Sequence, residues 1–358
     1  MIETESTVWP VQPALVARIE AAIRTFRASN PFLPIHVIVS NHVLGTLLGR
    51  SLFADTGYLG IEVQLPHEFA WSLAVRESLH AGLLPVPEDV DLAIVLKAAA
   101  TAVSDKATPD YLRRAAPMPG FASAALRTLR DIAGADVTPA TLDAFAVKAQ
   151  DGAKIRVLTR IANGHKATLG SAKLLDREAL YSRAAALLPT ADRRGVVLVG
   201  DPPDSRGLEV LMARLAATHP FAWLPLSEPP GIAPRRDAAR TTFAGHLKTR
   251  LEPVEPEHRK NNSLARVQSV LFAEGAPGRP AKLDDSVRFL SSPGESLEAV
   301  EIARLVLDEA ARGMRFQEMA VLLHEPAAYT AHLASAFDRA GIPAFFVDGF
   351  PRIDPAAR

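Results

Sequence analysis

Short apolar runs alternate with helical patterns through the C-terminal part of the chain, and this alternation constrains the fold more than any other feature. Residues 287–290 (VRFL), 319–323 (MAVLL) and 344–347 (AFFV) have the composition of short buried strands. Apolar residues recur at helical spacing between these runs, and Gly313 and Gly341 follow the two predicted helices as C-terminal caps. Because parallel strands need crossover connections, strand–helix–strand–helix–strand predicts a doubly wound α/β layer.

The rest of the chain shows one more α/β domain, which a helical segment interrupts. A β-branched run at 35–39 and a second at 196–199 predict strands of this domain, whereas residues 90–194 are rich in alanine and in helical patterns. The predicted organisation is residues 1–89 for the first part of the α/β domain, 90–194 for a helical insertion, 195–228 for the return to the α/β domain, 229–286 for a Pro/Arg-rich, mobile connection with a short helix at 264–272, and 287–358 for the start of a second α/β domain.

Composition excludes several classes of protein. No apolar run approaches the ~20 residues that span a bilayer, and the first ten residues are acidic and polar, so we expect a cytoplasmic protein without a membrane partner. Cysteine is absent, which excludes disulfides and thiolate chemistry. Forty basic and forty acidic residues give no net charge, which disfavours a DNA-coating domain but is compatible with a local DNA-binding groove.

Three segments resemble a known family in the order in which the family has them. They are PIHVIVSNHVLGTLLGRSLFADTGYLGIEVQLPHEFAW, GVVLVGDPPDSRGLEVLMARLA and EMAVLLHEPAAYTAHLASAFDRAGIPAFFVDGFPRIDP. The last one resembles the start of the second motor domain in superfamily 1 DNA helicases. More narrowly, the three are similar to segments of the AddB and RecC-like subunits of bacterial helicase–nuclease complexes, which belong to the PD-(D/E)XK nuclease family.

The resemblance implies a fold and a role. The fold would be a helicase-like parallel sheet domain with an inserted helical subdomain, followed by the start of a second α/β domain. The role would be in DNA double-strand-break repair and recombination, with DNA and an AddA-like helicase–nuclease subunit as partners. The family's nuclease domain lies far downstream, so we expect this chain to be an N-terminal portion, with a pared-down N-terminal module as the alternative.

The motifs for catalysis are missing from the sequence. A phosphate-binding loop needs a lysine directly after glycine, and none of the nine lysines follows a glycine. The nuclease motif needs a lysine two positions after an acid, and this spacing is also absent. We therefore predict no ATP-binding and no catalytic residues in this chain, and no cofactor. The resemblance implies that a full-length family member is an exodeoxyribonuclease or helicase subunit.

The candidate DNA-binding residues lie in two turns. Ser40, Asn41 and His42 follow the strand at 35–39, where the resembled helicases contact single-stranded DNA, and their side chains suit phosphate oxygens. Ser291 and Ser292 follow the apolar run at 287–290 and are the second candidate pair. The alternative at both turns is that these residues, with Gly294 at the second turn, cap the helix that follows.

Metal binding has little support in the sequence. Asp201 follows the strand at 196–199, where an active helicase holds magnesium, but an aspartate before two prolines also forms turns. The ten histidines show no metal-ligand spacing. We therefore predict no metal site.

Two groups of basic residues can be interpreted either as DNA-binding residues or as ordinary solvent-exposed residues. The first group is Lys154, Arg156, Arg160, Lys166, Lys173, Arg177 and Arg183, and the second is Arg235, Arg236, Arg240, Lys248, Arg250, Arg259 and Lys260. Such residues either follow a phosphate backbone or form a solvated helix face and a soluble linker. Stacking aromatic residues, which would favour DNA, are nearly absent among them.

Two other functions remain open at this point. A nucleotide- or metabolite-binding α/β enzyme of the Rossmann type would bind its ligand at the carboxyl ends of the strands. A pure interaction module would bind neither DNA nor a small molecule.

Overall fold

A computed structural model of the chain describes residues 13–53, 59–105, 108–188, 194–225, 234–247, 262–270 and 282–346. The fold is mixed α/β and mostly helical. Contacts divide it into two compact units, of which the first contains the described residues up to 247 and the second contains those from 262 onward. The predicted helical insertion lies in the same compact unit as the sheet.

The strands are β1 (Ile35–Val39), β2 (Ile61–Gln64), β3 (Leu84–Pro85), β4 (Leu174–Leu175), β5 (Gly195–Val199) and β6 (Phe221–Leu224). The helices are α1 (Pro13–Phe26), α2 (His42–Phe53), α3 (Pro66–His80), α4 (Glu88–Val103), α5 (Asp110–Ala115), α6 (Pro119–Gly134), α7 (Pro139–Lys148), α8 (Gly152–Ser171), α9 (Arg177–Leu187), α10 (Arg206–Thr218), α11 (Pro234–His246), α12 (Ser263–Val270), α13 (Glu295–Ala311) and α14 (Pro326–Ala340).

A four-stranded parallel sheet in the order β2-β1-β5-β6 forms the centre of the first unit. The two central strands, β1 and β5, pair in parallel from Ile35 opposite Gly195 to Val39 opposite Val199. Every residue of both strands is buried, as a β-branched run covered on both faces requires. The predictions of strands at 35–39 and 196–199 are therefore confirmed.

Helices cover both faces of this sheet. On one face, Ile38, Val196 and Leu198 belong to a core cluster with residues of α3, α9 and α10. On the other face, α1 packs against β5 and β6, and α2 packs against β1 and β2. The sheet is therefore doubly covered, in agreement with the prediction of a parallel α/β domain.

Residues 90–194, predicted as a helical insertion, are mostly helical where they are described, but they also contain the two-residue strand β4. The core of this segment consists of apolar side chains from α4, α5, α6 and α8, among them Val95, Leu126 and Ile161. The short strands β3 and β4 pair in parallel where the chain leaves and re-enters the α/β layer.

A buried aspartate forms hydrogen bonds to two other helices inside this helical segment. Asp91 on α4 accepts hydrogen bonds from His165 Nε2 at 2.6 Å and from Arg130 at 3.1 Å. Burial alone would raise the pKa of the Asp91 carboxyl, but these two hydrogen bonds outweigh burial and hold the pKa below its usual value. The three side chains therefore tie α4, α6 and α8 together.

The predicted mobile connection at 229–286 is wrong in part, because it contains the packed helix α11. The sequence there predicts a mobile linker, but Phe243 of α11 is buried and packs edge-on against Trp223 at 4.8 Å between ring centroids. The apolar Phe243 and Ala244 give the helix a buried side that the Pro/Arg-rich composition obscured. The short helix predicted at 264–272 is present as α12, and most of the remaining connection lies outside the described residues.

The second unit is built around α13 and α14, which pack against each other as the helical spacing predicts. Gly341 adopts a left-handed conformation with φ 66° after α14, and Gly313 has φ 100° after α13. Both glycines were predicted to end these helices, and both lie directly after the last helical turn or its cap.

The strands predicted in this unit are not formed. Residues 287–290, 319–323 and 344–346 do not form strands, and residue 347 lies outside the described part of the chain. The side chains of Leu323 and Phe346 pack on the helices, but Leu322 is 94% exposed and Phe345 is 89% exposed. An apolar run becomes a strand only where a neighbouring strand forms hydrogen bonds with its backbone. Among the described residues, no backbone group forms such bonds with residues 320–323.

Gly195→Ala tests the close packing on which the central strand pair depends. A Cβ atom at residue 195 would lie 2.6 Å from Ile35 Cδ1 and 2.7 Å from Phe26 Cδ2, well inside van der Waals contact. We expect the free energy of unfolding, measured by chemical denaturation, to fall by about 1–3 kcal/mol.

Gly170→Ala is the matched control for this substitution, because nothing lies within 4 Å of a Cβ at that helical position. This variant should be as stable as the parent or slightly more stable, since glycine in a helix costs about 0.5–1 kcal/mol relative to alanine. Equal stability of Gly195→Ala and the parent would contradict close packing at the start of β5.

Candidate functional site

The carboxyl edge of the sheet between β1 and β5 is the place where the topology favours a site. From β1 the chain passes to β2 on one side, and later it returns to β5 on the other side of β1. In open α/β sheets, ligands bind at such a switch point, outside the carboxyl ends of the strands. A Cβ atom at Gly200, which follows β5, would lie 3.7 Å from Ser40 Oγ, so the turns after the two strands are adjacent.

The turn after β1 contains the three residues predicted to bind DNA. Ser40, Asn41 and His42 are exposed. Asn41 Oδ1 accepts a hydrogen bond from the amide of Leu44 at 2.9 Å, and Asn41 Nδ2 donates to Ser40 Oγ at 3.3 Å. Capping of α2 is thus shown for Asn41, whereas contact with DNA stays a prediction for all three residues.

A partly open cavity lies beside this turn, on the β2 side. Its volume is about 230 Å³. It is lined by Val39, His42, Gly45, Thr46, Val63, Gln64, Leu65 and Glu68. Helix α2 comes close to the strands at this point because residue 45 is glycine, whose Cβ would lie 3.2 Å from Val39 Cγ2. The cavity therefore combines an apolar floor with polar side chains from α2, β2 and α3.

The polar residues near the cavity are partly held by internal hydrogen bonds. Glu68 Oε2 accepts from the amide of Leu65 at 2.8 Å, which caps α3, and Gln64 Oε1 lies 3.1 Å from His36 Nδ1. Burial lowers the pKa of His67, and the nearby Arg177 and His42 lower it further, against the opposing effect of Glu68. His67, His42 and Arg177 therefore lie close to one another at this edge, beside the carboxylate of Glu68.

The part of the edge after β5 is closed by an ion pair. Arg240 of α11 donates to Asp201 Oδ1 at 2.8 Å, and the arginine side chain is only 11% exposed. Trp223 Nε1 donates to the carbonyl of Gly200 at 3.0 Å, which fixes the same turn from the β6 side. Asp201, the candidate magnesium ligand, thus has a guanidinium against its carboxylate. In the described part of the chain, no cluster of histidine, aspartate and glutamate side chains has the geometry of a metal site.

A second carboxylate closes the N-terminus of α10. Glu178 Oε2 accepts from the amide of Gly207 at 3.2 Å, and Ser205 caps the same helix through the amide of Leu208 at 3.3 Å. Burial raises the pKa of Glu178, although hydrogen bonds from Ser205 and Gly207 act in the opposite direction. The N-terminus of α10, a helix end that could otherwise hold a phosphate, is therefore occupied by a side chain of α9.

The other predicted pair, Ser291 and Ser292, lies in the second unit. Ser291 is exposed and Ser292 is half-buried. Helix α13 begins after Gly294, which has φ 101°, and no side chain caps it. The predicted capping is therefore confirmed for Gly294, which takes the N-cap position, and is wrong for the two serines. Their contact with DNA stays a prediction.

Sequence reasoning missed Glu178 and Arg240, the two residues that close the β5 side. Both form hydrogen bonds with residues that are distant along the chain. Glu178 is 29 residues from Gly207, and Arg240 is 39 residues from Asp201. No local spacing signals such contacts. The only hint was the raised count of arginines around residue 240, which the sequence left open between DNA binding and a linker.

Comparison with known proteins adds no further assignment. No protein-family model matches the chain, and no curated protein matches it. A membrane-crossing helix is also not found, since none of the helices in the described ranges is both long and apolar enough.

Glu178→Gln tests the half-buried carboxylate at the edge of the sheet. Because its pKa is raised, the folded protein binds this proton more tightly than the unfolded chain does. Glu178 therefore adds to the free energy of unfolding as the pH falls through its folded-state pKa, and the gain is complete below the unfolded value of ~4.3. In Glu178→Gln this contribution should be absent.

The measurement is the difference in free energy of unfolding between parent and variant from pH ~7.5 to ~4.5, by urea denaturation. Glu77→Gln, at an exposed glutamate of α3, controls for the loss of one carboxylate. A difference that does not change with pH for Glu178→Gln would contradict burial as the dominant influence on this carboxyl group.

Proposed function

We propose that this chain is an ATPase-inactive, helicase-like part of a DNA double-strand-break repair helicase–nuclease. In this role it binds or guides DNA beside an active partner subunit. The DNA contact is at the turn formed by Ser40, Asn41 and His42, and catalysis lies elsewhere in the complex. The repair role and the helicase–nuclease partner come from the resemblance of the three sequence segments, whereas the DNA contact has support from the site itself.

The observation that carries this proposal is the contrast between the two halves of the carboxyl edge. On the β1 side, exposed hydroxyl, amide and imidazole groups adjoin an open cavity. On the β5 side, Arg240 holds Asp201 and Glu178 holds the start of α10. The acid that would hold the magnesium of a triphosphate lies in the closed half, whereas a DNA backbone needs only exposed groups like those of the β1 half.

The size of the cavity also favours a chain-like ligand over an enclosed small molecule. Small-molecule sites usually have volumes of about 300–1,000 Å³ and bury most of their ligand. The cavity beside His42 is about 230 Å³ and open. It therefore has room for one base of an extended strand whose phosphates contact the turn outside, and this weakens the Rossmann-type enzyme as the alternative.

Substitution of Asn41 tests the DNA contact without removing the helix cap. Aspartate and serine are both good N-cap residues, so α2 should remain capped in Asn41→Asp and in Asn41→Ser. Aspartate adds a negative charge at the turn and should weaken binding of fluorescein-labelled single-stranded DNA about tenfold or more at low salt, by fluorescence anisotropy. Serine should weaken binding much less.

Thermal unfolding of both variants must match the parent within a few degrees, so that a lost cap is not mistaken for a lost contact. Parent-like DNA affinity in Asn41→Asp would sink the placement of DNA at this turn. Failure of the parent chain itself to bind DNA would support the pure interaction module.

ATP hydrolysis provides the second test of this proposal. No lysine follows a glycine anywhere in the chain, and the acid after β5 is paired with arginine. We expect purified protein to release no phosphate from ATP above background, with or without single-stranded DNA. Magnesium-dependent ATP hydrolysis that co-purifies with the chain as an activity and is stimulated by DNA would contradict the proposal that the chain is ATPase-inactive.

A further inference from the structure

Helix α8 carries basic residues on its outer side and no acidic residue along its length. Its sequence, GAKIRVLTRIANGHKATLGS, has four cations and neither aspartate nor glutamate. Val157, Ile161, His165 and Leu169 are buried on the inner side. We call the opposite side the α8 outer face, and its exposed residues are Arg156, Asn163, Lys166, Ala167 and Gly170.

The two cations of the α8 outer face, Arg156 and Lys166, lack the carboxylate partners that Arg130 and Arg160 of the helical insertion have. Arg130 pairs with Asp91 at 3.1 Å, and Arg160 pairs with Asp105 at 2.9 Å. Within the described ranges, neither Arg156 nor Lys166 lies within ion-pair distance of an acid. Their charge therefore faces solvent without compensation.

The rest of the α8 outer face is small or polar. Asn163 lies between the two cations and offers an amide, and Ala167 and Gly170, which follow Lys166, have almost no side chain. Nothing lies within 4 Å of a Cβ placed on Gly170, so the end of the helix is open. A polyanion can therefore approach the backbone of α8 closely at its C-terminal end, beside Lys166.

We propose that the α8 outer face is a contact surface for the DNA backbone, in addition to the turn after β1. This inference rests on the proposed function and extends it by a second, sequence-independent contact. Arg156 and Lys166 are ten positions apart, which is about 15 Å along a helix. That distance suits two phosphates of one strand, with Asn163 as a hydrogen-bond donor between them.

The competing interpretation is a solvated helix face, and salt dependence separates the two. A cation that neutralises a phosphate releases a counterion, so each contact with single-stranded DNA contributes about 0.7 to the slope of log affinity against log salt. A solvated cation contributes only through the net charge of the protein, which any other exposed cation would also do.

The experiment compares two double variants that remove the same charge. Arg156→Gln/Lys166→Gln alters the α8 outer face, and Arg114→Gln/Arg127→Gln alters two exposed arginines on α5 and α6. Affinity for fluorescein-labelled single-stranded DNA is measured by anisotropy from about 0.05 to 0.5 M salt. Circular dichroism and thermal unfolding confirm that both variants fold.

We expect the α8 double variant to lower the salt slope by about 1.4, with affinity roughly 25-fold weaker near 0.1 M salt and nearly unchanged near 1 M. The control variant should keep the parent slope. Equal slopes in the two double variants, while the parent binds DNA and Asn41→Asp weakens it, would overturn the α8 contact alone. Absence of DNA binding by the parent would overturn both this contact and the proposed function.

Discussion

The pairing of β1 with β5 is the interaction on which the rest of the first unit depends. These two strands come from distant parts of the sequence, and every residue in both is buried. Their register places the turn at residues 40–42 beside the turn that starts at Gly200. Gly195 allows Phe26 and Ile35 to pack directly against the start of β5. The helical insertion is therefore a long detour between two strands that must still meet side by side.

This pairing also explains why one edge of the sheet has two different halves. The β1 turn leads directly into α2 and needs only the side chain of Asn41 to complete the helix start. The β5 turn receives Arg240 from α11 and lies next to the start of α10, which receives Glu178 from α9. On the β5 side, the ion pair and the helix cap already use the polar side chains, so few hydrogen-bonding groups are left for a ligand. Ligand binding is therefore favoured on the β1 side.

The sequence predicted the elements whose evidence is local and missed those whose evidence is distant. The β-branched runs of β1 and β5 and the alanine-rich insertion carry their structure in their own composition. Residues 319–323 have an equally apolar composition, yet Leu322 is 94% exposed and no strand forms, because pairing depends on a neighbour that composition does not reveal. At the site, Ser40, Asn41 and His42 follow a recognisable strand, whereas Arg240 and Glu178 reach their targets only through the tertiary fold.

Formal neutrality of the chain understates how basic its surface is in places. Several carboxylates serve as helix caps: Asp151 accepts from the amide of Lys154, Asp176 from that of Ala179, and Glu178 from that of Gly207. A carboxylate turned toward backbone amides stabilises a helix N-terminus without consuming an arginine or lysine. Cations such as Arg156 and Lys166 then stay unpaired within the described chain although acids and bases are equal in number. Equal totals are therefore compatible with a local surface that attracts a polyanion.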